Sequence, residues 1–214
     1  MKKIISLFAV AAFLFSANAK AQLVNDTEGY QRIEASFAVQ KFITENDNHS
    51  EEDKTKGFEL GFIKGISLTN RIPLFLELGG QLTWTHSKDE VDNVDNKVTF
   101  MNIAIPVNVA YKFAFANSEN ITIVPFVGPN FKFNVIGKEK WGDEKVSYLS
   151  KDDMGGKDNR ANIFQVGLNL GVGVNIAQRL YVGYRFQPDF TKYIEIGSIE
   201  NKTRTNYLTL GINF

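Results

Sequence analysis

The chain has 214 residues, no cysteine, and 24 basic against 24 acidic side chains, with 13% aromatic residues. Without cysteine it can hold no disulfide framework, iron-sulfur cluster or thiol nucleophile. A balanced charge argues against a nucleic-acid partner, which calls for a basic surface.

At the N-terminus, Lys2 and Lys3 precede an apolar run from Ile4 to Phe15. A small, polar stretch follows, with Ala-x-Ala at Ala17/Ala19 and at Ala19/Ala21. This predicts a secretory signal peptide over residues 1–21, cleaved after Ala21 or Ala19. The apolar run is too short for a spanning helix, which needs about 20 residues, and no later segment exceeds it. Loss of Lys2, Lys3 and Lys20 would leave 21 basic against 24 acidic side chains. The mature chain, 22–214, suits one domain, and no Pro/Ser-rich linker divides it.

From there the sequence reads as period-2 alternation broken by polar clusters, which predicts eight strands at roughly 31–43, 57–68, 73–85, 97–113, 121–135, 161–176, 180–187 and 203–214. The sixth is the clearest. Phe164, Val166, Leu168, Leu170, Val172, Val174 and Ile176 share one parity, and Gln165, Gly167, Asn169, Gly171, Gly173 and Asn175 the other. Alternate side chains of a strand point to opposite faces, so one face is continuously apolar and the other small and polar. A soluble sheet would bury the apolar face, whereas a membrane barrel turns it to lipid.

The connections separate these two readings. Long polar segments at 44–56, 86–96, 136–160 and 188–202 alternate with short ones at 69–72, 114–120 and 177–179, the pattern of a transmembrane barrel with long external loops and short periplasmic turns. Without a spanning helix, a closed barrel is the remaining way across a bilayer. The fold class expected is therefore all-β: a closed, eight-stranded, antiparallel up-and-down transmembrane barrel. Its lipid face is expected to include Phe164, Val166, Leu168, Leu170, Val172, Val174, Leu208, Leu210, Ile212 and Phe214. Phe58, Trp84, Phe131, Phe133, Phe164 and Phe186 would form an aromatic girdle at the long-loop end, and Tyr111, Phe113 and Phe214 one at the other.

Eight strands leave only enough room for side chains to fill the interior. Glycines and polar residues share the inward parity, among them Glu34, Glu59, Glu77, Lys112, Lys132 and Arg185. Because buried charges persist only when paired, Glu34, Glu59 and Glu77 are expected to meet Arg32, Lys112, Lys132 and Arg185. Two features strain the scheme. Lys64 falls on the apolar parity, so it either snorkels at an interface or is turned by a bulge near Gly61 or Gly65. Pro106, Pro125 and Pro129 lie within strands, where bulges or gaps in the ladder are expected.

Three stretches carry a resemblance: Ile105-Pro-Val-Asn-Val-Ala-Tyr-Lys-Phe113, Val124-Pro-Phe-Val-Gly-Pro-Asn-Phe131 and Asn206-Tyr-Leu-Thr-Leu-Gly-Ile-Asn-Phe214. On these the chain resembles the porin-like outer-membrane β-barrel domain family of small Gram-negative surface proteins, over essentially the whole mature length. The resemblance implies a fold and an outer-membrane location but no catalytic site. It also implies that the last strand, with Leu208, Leu210, Ile212 and Phe214, is read by the barrel-assembly machinery. Polar Asn206 makes that match partial.

Sites of chemistry are few. His49 and His86 stand beside Ser50 and Ser87 in predicted loops, without the orienting group and oxyanion donors that acyl transfer requires. Asp89, Glu90, Asp92 and Asp95 lack the spacing and glycine of a calcium loop, so an acidic, solvated or lipopolysaccharide-facing loop is expected. The 136–160 segment mixes lysines and acids around Trp141 and Tyr148, which suits either a recognition surface or a loop with no partner. No catalytic residue, metal or cofactor is assigned. The reading is a non-enzymatic outer-membrane protein in contact with lipid and lipopolysaccharide, its external ligand open. The alternatives are a soluble lipocalin-like carrier, which would need Leu168, Leu170 and Val172 inside, and an accessory subunit of a secretion or surface-assembly machine.

Overall fold

The computed structural model describes residues 27–46, 49–91, 94–115, 118–155, 160–196 and 199–214, so the expected signal peptide lies outside the described residues. Within them the strands are β1 (Tyr30–Asn46), β2 (His49–Ser67), β3 (Leu74–Val91), β4 (Val94–Tyr111), β5 (Phe113–Phe115), β6 (Ser118–Trp141), β7 (Glu144–Ser147), β8 (Phe164–Ile176), β9 (Leu180–Pro188), β10 (Ile194–Ile196) and β11 (Ile199–Asn213). No helix among the described residues is long and apolar enough to cross a membrane.

The long strands run in the order β1-β2-β3-β4-β6-β8-β9-β11, and β11 pairs back onto β1, so the sheet closes on itself. The seam is a full antiparallel ladder from Arg32↔Asn213 to Glu45↔Glu200. Below it, Gln31 and Phe214 exchange backbone hydrogen bonds of 3.0 and 2.9 Å. Closure removes the unpaired edges that an open sheet would expose. The result is an eight-stranded antiparallel barrel, with short β5, β7 and β10 added as local hairpin extensions.

Parity sets which side chains face inward. In β8, Gln165, Gly167, Asn169, Gly173 and Asn175 are buried, while Phe164, Val172 and Ile176 are exposed and Val166, Leu168, Leu170 and Val174 partly so. In β11 and just after it, the outward Leu208, Leu210, Ile212 and Phe214 are 59–65% exposed, beside buried Tyr207, Thr209 and Asn213. The outward stretches from Phe58 to Leu68, apolar but for Lys64, and from Met101 to Tyr111 span the same number of residues. At about 3.3 Å per residue and a tilt of about 40°, each covers roughly 25 Å, the height of a membrane barrel's apolar band.

The strands outlast the expected boundaries. Segments 44–56 and 86–96, read as loops, are continuous ladder up to Asn46↔His49 and Val91↔Val94. They carry polar residues on both faces because both are wet beyond the membrane, so the alternation that betrays a strand disappears. β6 likewise continues to Trp141 and folds back through Gly142, whose φ of +59° suits glycine, into β7. Conversely, 161–163 precede β8 rather than belong to it.

Lys64 remains on the outer face, exposed, close to the short-turn end of β2. The register of β2 runs unbroken through Gly61 and Gly65, so the bulge alternative is not realised. Gaps instead of bulges accompany Pro106 and Pro129 on the β4 side, while Pro125 and Pro129 keep their pairing with β8. The β4–β6 ladder lapses between Pro106↔Asn130 and Val109↔Val127, and β3–β4 between Leu78↔Val107 and Gln81↔Ala104. The register shift of β4 against β6 falls elsewhere, between Met101 and Asn102.

Candidate functional site: the filled lumen and its cap

Glu34, Glu59, Glu77, Lys112, Lys132 and Arg185 are all buried inside the ring. Nearest the short-turn end, Tyr30 donates to Glu77 at 2.5 Å and Arg32 reaches the same carboxylate at 3.2 Å. Arg32 Nε also donates to Glu34 at 2.8 Å, and Gln81 completes that carboxylate at 2.9 Å. One layer further, Nη2 of Arg185 donates to both Glu59 oxygens at 2.6 and 2.7 Å, while Nη1 stands 3.9 Å from Glu34. Ser36 and Thr83 add hydrogen bonds to Glu59 of 3.2 and 3.0 Å. The three glutamates are thus shared between the two arginines.

Lys132 takes a carboxylate that was not among the expected partners. Lys132 meets Asp189, and Thr203 bonds both of them. Lys112 Nζ lies 4.6 Å from the ring centres of Tyr30 and Phe75. Asp189 falls in the long polar segment after the seventh expected strand, although it continues the inward parity of Tyr181, Gly183, Arg185 and Gln187. Among the described buried residues, four cations (Arg32, Lys112, Lys132, Arg185) therefore face four carboxylates (Glu34, Glu59, Glu77, Asp189).

Aromatic rings, not only small polar groups, fill the rest. Arg32 stacks 3.9 Å over Tyr181 and Arg185 3.9 Å over Tyr207, cation–π contacts that leave the guanidinium edges free for carboxylates. The inward glycines make room for these rings. A Cβ on Gly173 would lie 2.0 Å from Tyr181, and one on Gly171 2.2 Å from Phe126. Phe75, Ala110, Val124 and Phe126 form an apolar cluster at this level. Space lined by Arg32, Glu34, Gln81 and Arg185 amounts to about 10 Å³, scarcely one water. A polar mouth of about 220 Å³ opens at the short-turn end, beside Tyr30, Lys112, Asn175 and Arg179.

At the other end the chain folds over the barrel. Phe100, Ala161, Tyr193 and Ile194 form a buried cluster against Phe42, Val98, Tyr148 and Leu149. Ring centres of Phe42 and Phe100 are 4.6 Å apart, and Tyr193 meets Phe100 edge-on at 5.7 Å. Tyr148, expected on an exposed loop, turns inward and donates to Glu139. Burial and the Glu139 carboxylate raise its hydroxyl above the ordinary tyrosine range, so it stays a donor. Trp141 remains exposed at the tip of the β6–β7 hairpin.

The residues considered for chemistry are otherwise engaged. Nδ1 of His86 stands 3.1 Å from the Thr99 hydroxyl, and its ring stacks on Trp84. The side chains of His49, Ser50 and Glu90, and all of Asp92, lie outside the described residues. Asp95 pairs with Lys88 at 3.0 Å and Lys97 at 3.2 Å. Hydrogen bonds from both lysines hold its carboxyl below the usual aspartate range. Among the described residues, no three His, Asp or Glu side chains gather as metal ligands would.

A closed barrel with apolar side chains outside and paired charges inside defines a class, the β-barrel membrane protein. Within it, the chain belongs to the outer membrane protein beta-barrel domain family, whose model matches residues 15–195. Its place is therefore the Gram-negative outer membrane. Among solved structures it is similar to the attachment invasion locus protein Ail of Yersinia pestis, at 14% identity and a TM-score of 0.42, over 86% of this chain and 99% of Ail. Neisserial surface protein A is 16% identical with a TM-score of 0.42, covering 85% of this chain and 95% of that one. The outer membrane enzyme PagL is 14% identical with a TM-score of 0.48, over 84% and 98%. None of the curated proteins searched matches the chain.

Proposed function

We propose that this chain is a non-enzymatic integral protein of the outer membrane, in which the barrel is a rigid anchor and the external hairpins and cap are the surface offered to the outside. The observation that carries the reading is the division of the wall. An apolar band faces outward all round, while the interior is occupied by mutually neutralising charges and stacked rings with about 10 Å³ between the two arginine layers. A lipocalin-like carrier would need the reverse, yet Leu168, Leu170 and Val172 stand on the outer face. Export through residues 1–21, lipid and lipopolysaccharide around the band, and recognition of the Leu208-to-Phe214 strand by the assembly machinery belong to the same proposal.

The test is fractionation combined with a gel of unboiled and boiled samples. The protein should resist extraction by salt, require detergent, and change mobility on boiling. Release by salt with no mobility shift would defeat the anchor reading. Lys140 and Lys151, on the external segment, should react with an impermeant amine reagent on intact cells. Labelling that appears only after lysis would reverse the orientation.

A further inference from the structure

Beyond the membrane band the ring does not continue as a closed sheet. The β2–β3 ladder ends outward at Lys56↔His86, while β2 runs on to His49 paired only with β1, and β3 runs on to Val91 paired only with β4. The outer end therefore splits into two four-stranded sheets, β2-β1-β11-β10 and β3-β4-β6-β7. On one side the cap bridges these sheets through backbone hydrogen bonds of 2.6–2.8 Å, from Tyr148 to Gly137, Ala161 to Tyr148, Asn162 to Tyr193 and Tyr193 to Asn201. On the other side, between the outer parts of β2 and β3, no backbone hydrogen bond joins them among the described residues.

The sequence accounts for the open side. Carrying the β2–β3 register outward would set Lys54 opposite Lys88 and Asp53 opposite Asp89, and like charges directly opposite are destabilising. All four side chains are exposed, and Lys88 turns to Asp95 at 3.0 Å. Each strand thus keeps an edge on which alternate residues direct N–H and C=O groups into the notch without a ladder partner. Such an edge is a template for strand addition, in which an extended peptide supplies the missing main-chain hydrogen bonds. Charge selects the peptide's chemistry, because residues 49–55 and 87–91 hold five acids against two lysines. We propose that the notch between β2 and β3 binds an extended, basic segment of another protein by strand addition, its lysine or arginine side chains lying between Asp53 and Asp89. A second copy of this chain would bring the same acidic edges and be repelled. The proposal rests on the anchor reading above, which turns these hairpins outward.

The experiment uses the protein purified from outer membranes in an uncharged detergent, and a labelled peptide alternating lysine and threonine, followed by fluorescence anisotropy. Unboiled and boiled gels of every variant are read first, so failure of the barrel itself shows there and not in peptide binding. Wild type should bind this peptide on the order of tenfold more tightly than one alternating glutamate and threonine. A similar factor should be lost when alternate backbone nitrogens of the basic peptide are methylated, since charge is kept and donors are removed. D53K/D89K keeps like charges opposite, so the notch stays open and the preference should reverse to the acidic peptide. D53K alone sets opposite charges across the notch, so the strands should pair and binding of either peptide should fall. The control D143K/E144K, the same change of charge at the exposed β6–β7 hairpin, should bind as wild type. No binding by wild type, unimpaired binding of the methylated peptide, an unreversed preference in D53K/D89K, unchanged binding by D53K or an equal effect of the control would each overturn the proposal. So would self-association of wild type that D53K abolishes, which would give the edges to a second copy.

Discussion

Arg185 reaches across the lumen to a carboxylate 126 positions earlier in the chain and holds both of its oxygens. Removing one member of such a buried pair leaves the other charged and unsolvated, at a cost of about 3–5 kcal/mol. Arg185→Met is therefore expected to lower the unfolding free energy of the refolded barrel, read from a urea titration, by about 3–5 kcal/mol. The double variant R185M/E59M should recover most of it, because two apolar groups replace the pair. Equal destabilisation by single and double variants would show that the pairing is not what matters. The turn from β8 to β9 offers a gain instead. Ala177 and Gln178 both adopt positive φ, 50° and 60°, closing the turn with a 3.2 Å bond from Arg179 N–H to the Ile176 carbonyl. Left-handed backbone costs a residue with a Cβ about 1–2 kcal/mol. Gln178→Gly should raise stability by roughly 1 kcal/mol in the same urea titration, and a lower midpoint would contradict this account. That the inward parity would be charged was legible residue by residue. That Lys132 would meet Asp189 was not, since partners on non-consecutive strands depend on how the ring closes.

At the level of elements, the strands project beyond the band. Lys54 pairs with Lys41, and Val98 with Ser87 and Glu139, in hydrogen-bonded ladder rather than loop. Hydrogen exchange distinguishes the two. Amides of Lys54, Lys56 and Ser87 should be protected by on the order of a hundredfold or more over free-peptide rates, since exchange from a ladder needs local opening. Exchange at free-peptide rates would return these segments to loops. Periodicity located the membrane-crossing parts of the strands because one face met lipid and the other did not. Where water lies on both sides, the physical asymmetry that writes the pattern is gone, and hairpins such as 44–56 read as loops.

At the scale of the whole molecule, the lumen is plugged by ion pairs, rings and, at the far end, the Phe100–Tyr193 cluster. Protein reconstituted into planar bilayers is expected to give no steady ohmic conductance in molar potassium chloride. A stable open level would require the interior to rearrange. The 220 Å³ mouth at the short-turn end does not lead through, because the Arg32, Glu34 and Arg185 layers lie directly behind it.

The sequence by itself determined the class of this protein. Strand parity, alternating connection lengths and aromatic placement are local consequences of a wall between lipid and a filled interior, and local patterns survive in a linear string. Only the tertiary structure decided which charges pair, how tyrosines brace the arginines, and how the cap seals one end. It also set Arg204 beside Lys41 and Lys54, since β11 meets β1 only where the barrel closes. Those features join residues far apart in the chain through strand register, and register is a property of the closed sheet, not of any one strand.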